Sequence, residues 1–257
     1  MVLIILLLAA CFWGNASNNN NESELKNASP SVKNSIKFNY DQLYSCETGN
    51  IIEFSDDFNL PKLRSFWGAE KENLTCSLTE RPGYLRLKSI KGNSISALKI
   101  SNTLNRKLKK NTEGEVVGYF DLTDIEEGVM TGIYFCEKDI NFIGVEFKDG
   151  RKVLKAEING VISECKDISA EGLMLRVRME KTICHLEYSV DGLNFTQLGS
   201  DLSIENEVEA DNYIGLFCMN DSGIGGSIDV DWFYFKPIEN STIQFAETRD
   251  NRISPIL

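Results

Sequence analysis

The chain has 257 residues, 42% of them hydrophobic, a formal net charge of −11 and a single histidine. That length suits one large domain, and all-β sandwiches commonly run to roughly 200–250 residues. The acidic balance excludes nucleic acid as a partner, because tracking phosphates needs clustered Lys and Arg to displace condensed counterions.

Residues 1–16, "MVLIILLLAACFWGNA", carry no charged side chain, and their apolar run is too short for a stable membrane span. This is the pattern of an export signal. Two processing readings stay open: "LAAC", ending at Cys11, resembles the lipobox of bacterial lipoproteins with Cys11 lipidated, and "GNA", ending at Ala16, suits ordinary signal-peptidase cleavage. The expected location is extracellular or cell-surface, with membrane contact only through a lipid on Cys11. Residues 17–50, opening "SNNNNESELKN", form a polar linker with too little apolar surface to offset the entropy of ordering.

From Ile51 onward, period-2 alternation recurs between turn signals and no segment keeps a helical period. "TERPGYLRL" sets a Pro82-Gly83 turn before a strand whose Leu85 and Leu87 point to a core. The basic run "NRKLKK", from Asn105 to Lys110, reads as a solvated loop. "EVVGYFDL", "MTGIYFCE", "FIGVEFKDG", "NYIGLFCMN" and "SIDVDWFYF" read as strands, the third ending in an Asp149-Gly150 hairpin turn. "LMLRVRME" alternates most cleanly, with Leu173, Leu175, Val177 and Met179 on one side and Arg176 and Arg178 on the other. "CHLEYSVDGLNF" sets Cys184, Leu186, Tyr188 and Val190 on one face and turns at Asp191-Gly192. The fold class is therefore all-β, two antiparallel sheets packed as a sandwich over residues 51–237, followed by a polar tail from 238 to 257.

The familiar catalytic patterns are missing. "TDIEEG" sets Glu126 and Glu127 in a turn, and "IDVDWF" sets Asp229 and Asp231 on one face without a third acid. In the same alternation, Trp232 falls on the core side, and Tyr84 reads as a core residue too. His185 alternates with Cys184 and Leu186 on a strand, which reads as a surface or satisfied histidine. Six cysteines remain besides Cys11. In an exported chain, disulfides and plain buried thiols are both open readings.

With these phrases in order, the chain resembles the C-terminal concanavalin A-like β-sandwich domain of family 43 glycoside hydrolases, the β-xylosidase type. "RPGYLRL" and "EYSVDGLNFTQLG" are the most specific matches, and the resemblance runs from about Phe54 to Phe235. In that family the catalytic acids belong to a propeller that precedes the sandwich. The fifty or so residues before Phe54 are too few for one, so catalysis is not expected of this chain. The resemblance implies instead an accessory protein that binds a plant-type, xylan-like glycan. The competing readings are a partner-dependent glycosidase component and a structural cell-surface protein.

For a sugar site, Trp67, beside a glycine and charged residues, is the candidate aromatic platform, and Arg81 is the one residue of its turn that can face a ligand. Glu146, Arg176, Arg178, His185 and Glu187 lie on the polar faces of three strands and are expected to converge, unless they form a solvated, ion-paired face. Asp57 and Asp231, near the two ends of the domain, are a candidate Ca²⁺ pair, against a reading as turn or edge aspartates. No other cofactor is expected.

Overall fold

The computed structural model describes residues 55–69, 75–92, 103–108, 112–165, 168–204, 212–223 and 225–237. The signal segment with Cys11, the linker, residues 51–54 and the tail lie outside them. The described chain is all-β, as the alternation predicted.

Two sheets face each other. The back sheet contains β1 (Gly68–Ala69), β4 (Ile90–Lys91), β5 (Thr103–Leu108), β7 (Val129–Cys136), β8 (Ile140–Lys148), β9 (Arg151–Ile158), β10 (Val161–Cys165) and β15 (Asn212–Asn220), in the order β1-β5-β15-β7-β8-β9-β10. The front sheet contains β2 (Cys76–Ser77), β3 (Leu85–Lys88), β6 (Gly114–Asp121), β11 (Gly172–Glu180), β12 (Ile183–Ser189), β13 (Thr196–Gln197), β14 (Leu202–Ser203) and β16 (Ser227–Pro237), in the order β13-β12-β11-β6-β16-β3-β2 with β14 also on β12. Pairing is antiparallel except where β4 runs parallel to the end of β15.

Alternation builds the core. Leu173, Leu175, Val177 and Met179 of β11 are buried between the sheets, opposite inward residues such as Ile133, Phe135, Ile143 and Val145 of the back sheet. Each such side chain contributes about 1.5–3 kcal/mol by leaving water. Asp149 and Gly150 close the β8–β9 hairpin with φ of 52° and 70°, the positive pair that a two-residue turn matching strand twist requires. Asn159 and Gly160 repeat the device between β9 and β10. At Pro82-Gly83, the Tyr84 N–H donates to the Arg81 carbonyl at 3.1 Å, and Gly83 takes φ 82°, so Leu85 and Leu87 enter the core in register.

The structure departs from the sequence reading in four places. "NRKL" is not a loop but most of β5, because Leu104 and Leu108 turn inward and are buried while Lys107 points to water. Val190 leaves the core face: β12 ends at Ser189, and the Asp191 carboxylate gathers the Leu193 and Asn194 N–H groups into a loop longer than a tight hairpin. A β-bulge between Val230 and Trp232 inserts Asp231 as an extra residue. Phe233 and Phe235 therefore point inward, and Trp232, expected in the core, is buried but on the outer side, opposite Tyr119. Tyr84, also read as core, is half-buried beneath Arg81.

Cys76, Cys136, Cys184 and Cys218 are free thiols, and burial pushes those of Cys184 and Cys218 far up, so both serve as small core residues.

Candidate functional site

The outer face of the front sheet is organised by strand register into parallel lines of side chains. One line runs Trp232, Tyr119, Met174, Ser189 across β16, β6, β11 and β12; the next runs Tyr234, Val117, Arg176, Glu187, Gln197 and reaches β13. A third runs Lys236, Glu115, Arg178, His185. These positions share a face because residues directly opposite one another in an antiparallel sheet point the same way.

Three aromatic rings stand in a row at its centre. Trp232 stacks on Tyr234 at 4.9 Å between centroids and 11° between planes, and on Tyr119 at 6.2 Å and 25°. The Tyr119 hydroxyl lies against the Gly172 Cα, where an added Cβ would come within 2.0 Å of it, so only glycine fits beside this ring. Burial first, then the Asp121 charge, pushes the Tyr119 phenol up to about 12.

On one flank, Arg81 donates to Asp229 at 2.8 Å and to Asp121 at 2.7 Å, with its guanidinium 3.7 Å above the Tyr84 ring. Arg86 clamps both oxygens of Asp229 at 2.8 and 2.7 Å. Asp229 is buried and receives three charge-assisted bonds, so it holds the flank together. Burial alone would raise Asp121, but its bonds from Thr123 and Arg81 carry it below the usual carboxylate range. On the other flank, Arg176 donates to Glu187 at 2.6 Å, faces Glu115 at 3.4 Å and lies 3.8 Å over the Phe195 ring. Arg178 is held by Glu187 and Glu180, and His185 Nδ1 is 3.0 Å from the exposed carboxylate of Asp201.

A concavity of about 380 Å³ lies where the loops after β6, β8 and β15 meet, lined by Glu126, Glu127, Lys148, Asp149, Asn220 and Asp221. Glu127 accepts the Asp149 and Gly150 N–H groups, and Asn220 donates to the Glu127 and Gly225 carbonyls, so these groups join loops together. That agrees with the expectation of a turn at "TDIEEG".

The sequence over residues 55–236 matches the family described as the β-xylosidase C-terminal concanavalin A-like domain. The chain belongs to that family.

Among curated proteins, this family member is similar to a β-xylosidase of Formosa agariphila, 31% identical over an aligned length of 203 residues, the match covering 70% of this chain and 34% of that protein. It therefore spans about a third of that relative. Among solved structures, it is similar in fold to a bifunctional GH43-CE protein of Bacteroides eggerthii (TM-score 0.63, 21% identity, 72% of this chain and 26% of that one). A xylan β-1,4-xylosidase from Bacillus halodurans is similar too (TM-score 0.56, 21% identity, 71% of this chain and 38% of that one). At these identities the likeness shows the fold alone: a concanavalin A-like sandwich.

The fold brings some of the sequence-nominated residues together and separates others. Arg81, Arg176, Arg178, His185 and Glu187 share the front face. Glu146 does not converge with them: it belongs to β8, on the outer side of the back sheet, where Lys155 pairs with it at 2.6 Å. Trp67 is no open platform. Its ring packs against Phe58, Phe66 and Phe233, and its Nε1–H donates to the buried Asp56 at 2.8 Å. Asp57 holds the Asn59 N–H and sits 3.8 Å from Arg64, whereas the Asp231 charge acts on Tyr84 and Tyr119. Among the described residues, no group of three or more His, Cys, Asp or Glu side chains is placed to hold a metal ion.

Sequence reading missed Asp121, Tyr119 and Tyr234. The outward positions of "VVGYFDL" and "DWFYF" held the signal, but the bulge at Asp231 hid the phase of the second.

Proposed function

We propose that the protein is an exported, non-catalytic accessory sandwich that binds a xylan-type polysaccharide along the outer face of its front sheet. The observation that carries this reading is the Tyr119–Trp232–Tyr234 row, set between two clusters of fixed guanidinium and carboxylate groups. A sugar ring offers apolar C–H faces to aromatic carbon and hydroxyls to charged donors and acceptors, and this face supplies both. Because Arg81, Arg86 and Arg176 are already held by carboxylates, the face is pre-organised, and little side-chain entropy is lost on binding. Those same ion pairs argue against catalysis, since Asp121 and Asp229 both commit oxygens to Arg81, and the bonds from Thr123 and Arg81 hold Asp121 below the usual carboxylate range. The family relation to β-xylosidases favours a xylan-type chain over other glycans. Export and lipidation at Cys11 belong to the same proposal and rest on residues 1–16.

Titrating the full chain calorimetrically with xylohexaose and with a β-1,3-glucan oligosaccharide tests this. Binding of the first, weakened about tenfold by Tyr234→Ala, is expected, since one aromatic contact supplies ~1.4 kcal/mol. No heat with xylohexaose, or an undiminished affinity in the variant, would overturn it.

A further inference from the structure

The free edges of the two sheets are unequal. The terminal strands β1, β2, β13 and β14 have two residues each, too short to template a neighbour, whereas β10 has five. Among the described residues, β10 pairs only with β9. Natural sheets blunt a long edge with charged side chains, Pro, a bulge or great shortness; "VISEC" has only Glu164, which Lys155 of the neighbouring strand already pairs at 3.3 Å. It carries two of the most exposed large apolar side chains of the described chain, Val161 at 66% and Ile162 at 58%.

The direction of the free backbone groups follows from the hairpin. Ile158 and Val161 flank the two-residue Asn159-Gly160 turn, so Val161, Ser163 and Cys165 direct their N–H and C=O groups toward β9. Those of Ile162 and Glu164 point off the sheet.

We propose that β10 is a self-association edge, at which two copies of the chain pair antiparallel about a two-fold axis through Ser163. In this register Ile162 lies opposite Glu164 of the second copy and Val161 opposite its Cys165. Four main-chain hydrogen bonds form, from Ile162 and Glu164 of each copy. The charge pattern fits a second copy. The one charged residue of the strand, Glu164, is already 3.3 Å from Lys155, and the register sets it against an isoleucine, not against another Glu164. A parallel or shifted partner strand gains no such match. The two back sheets then continue into one, and no front-sheet strand takes part in the pairing. The proposal does not depend on what the front faces bind.

Sedimentation equilibrium of the full chain up to about 100 µM tests it, a range in which even a Kd of tens of micromolar yields mostly dimer. The weight-average mass is expected to rise toward twice that of one chain, and Ile162→Lys to hold it at one chain throughout. Because Ile162 is exposed, the variant's thermal melt should coincide with that of the wild type, which separates loss of pairing from loss of folding. A wild type that stays monomeric at the highest concentration overturns the proposal. So does a dimer that Ile162→Lys leaves intact, since its interface must then lie elsewhere.

Discussion

On the front sheet, the outward positions of β16 carry Asp229, Trp232 and Tyr234; on the back sheet, the outward positions of the neighbouring β15 and β7 carry Phe217, Met219 and Tyr134. The front residues are bound into ion pairs or stacked as rings, with Asp229 and Trp232 buried and Tyr119, Tyr234 and Arg176 half-buried. The back residues form a closed apolar cluster with Ile140 and Phe142, in which Phe217 meets Phe142 edge to face at 5.5 Å. Glycines allow it. The Phe217 ring lies over Gly144 and the Tyr134 ring over Gly215, where a Cβ would come within 3.2 and 2.9 Å of them. The contrast separates two settings of aromatic side chains on one scaffold: an apolar cluster buried throughout on the back sheet, and on the front sheet a buried Trp232 between the half-buried Tyr119 and Tyr234, bordered by fixed charges.

The largest expected break in this contrast is Phe217→Ala. It opens a cavity in the sealed face and should cost about 3–5 kcal/mol in chemical denaturation, with no change in glycan affinity while the protein stays folded. Asp229→Asn comes next. It leaves Arg86 without its clamp and Arg81 with one carboxylate, for an expected cost of about 2–3 kcal/mol, and glycan binding on the front face should weaken with it. Equal affinity in this variant would show that the ion-paired flank is structural only.

Smaller still is Tyr119→Phe, which acts through pH. The Tyr119 phenol is raised to about 12 in the fold, so the folded state prefers it protonated; its contribution is complete below the unfolded value of about 10 and is lost as pH rises from there toward 12. Wild type should lose stability across that alkaline window more steeply than Tyr119→Phe. Matching slopes would mean that the ring is less buried than the structure shows. Asp121 works in the opposite direction. Its folded pKa is depressed, so its contribution is present above about 4 and disappears as pH falls further.

The elements most legible in the sequence were those whose local period equals their structural period. "LMLRVRME" became β11 with each inward residue as expected, and both Asp149-Gly150 and Pro82-Gly83 became turns. Period says which way a side chain points relative to its neighbours but not which sheet its strand joins, and for that reason Glu146 was grouped with Arg176 and landed on the opposite side of the sandwich. A single inserted residue reverses the phase, and so the bulge at Asp231 moved Trp232 from the expected core to the candidate face. The Arg81–Asp121 and Arg81–Asp229 bonds join residues 40 and 148 positions apart, a distance at which no local pattern carries information. Trp67 was nominated from polar neighbours in sequence, whereas its neighbours in space are Phe58 and Phe233.

The central claim is that ligand meets the front sheet at the Tyr119–Trp232–Tyr234 row. Of the three tryptophans in the chain, Trp232 alone belongs to that row. Intrinsic fluorescence followed during a xylohexaose titration tests the claim most directly. The account predicts a saturable change that survives in Trp67→Phe and disappears in Trp232→Phe. A change that survives in Trp232→Phe and is lost in Trp67→Phe would contradict it and place the ligand at the Asp56–Trp67 corner instead.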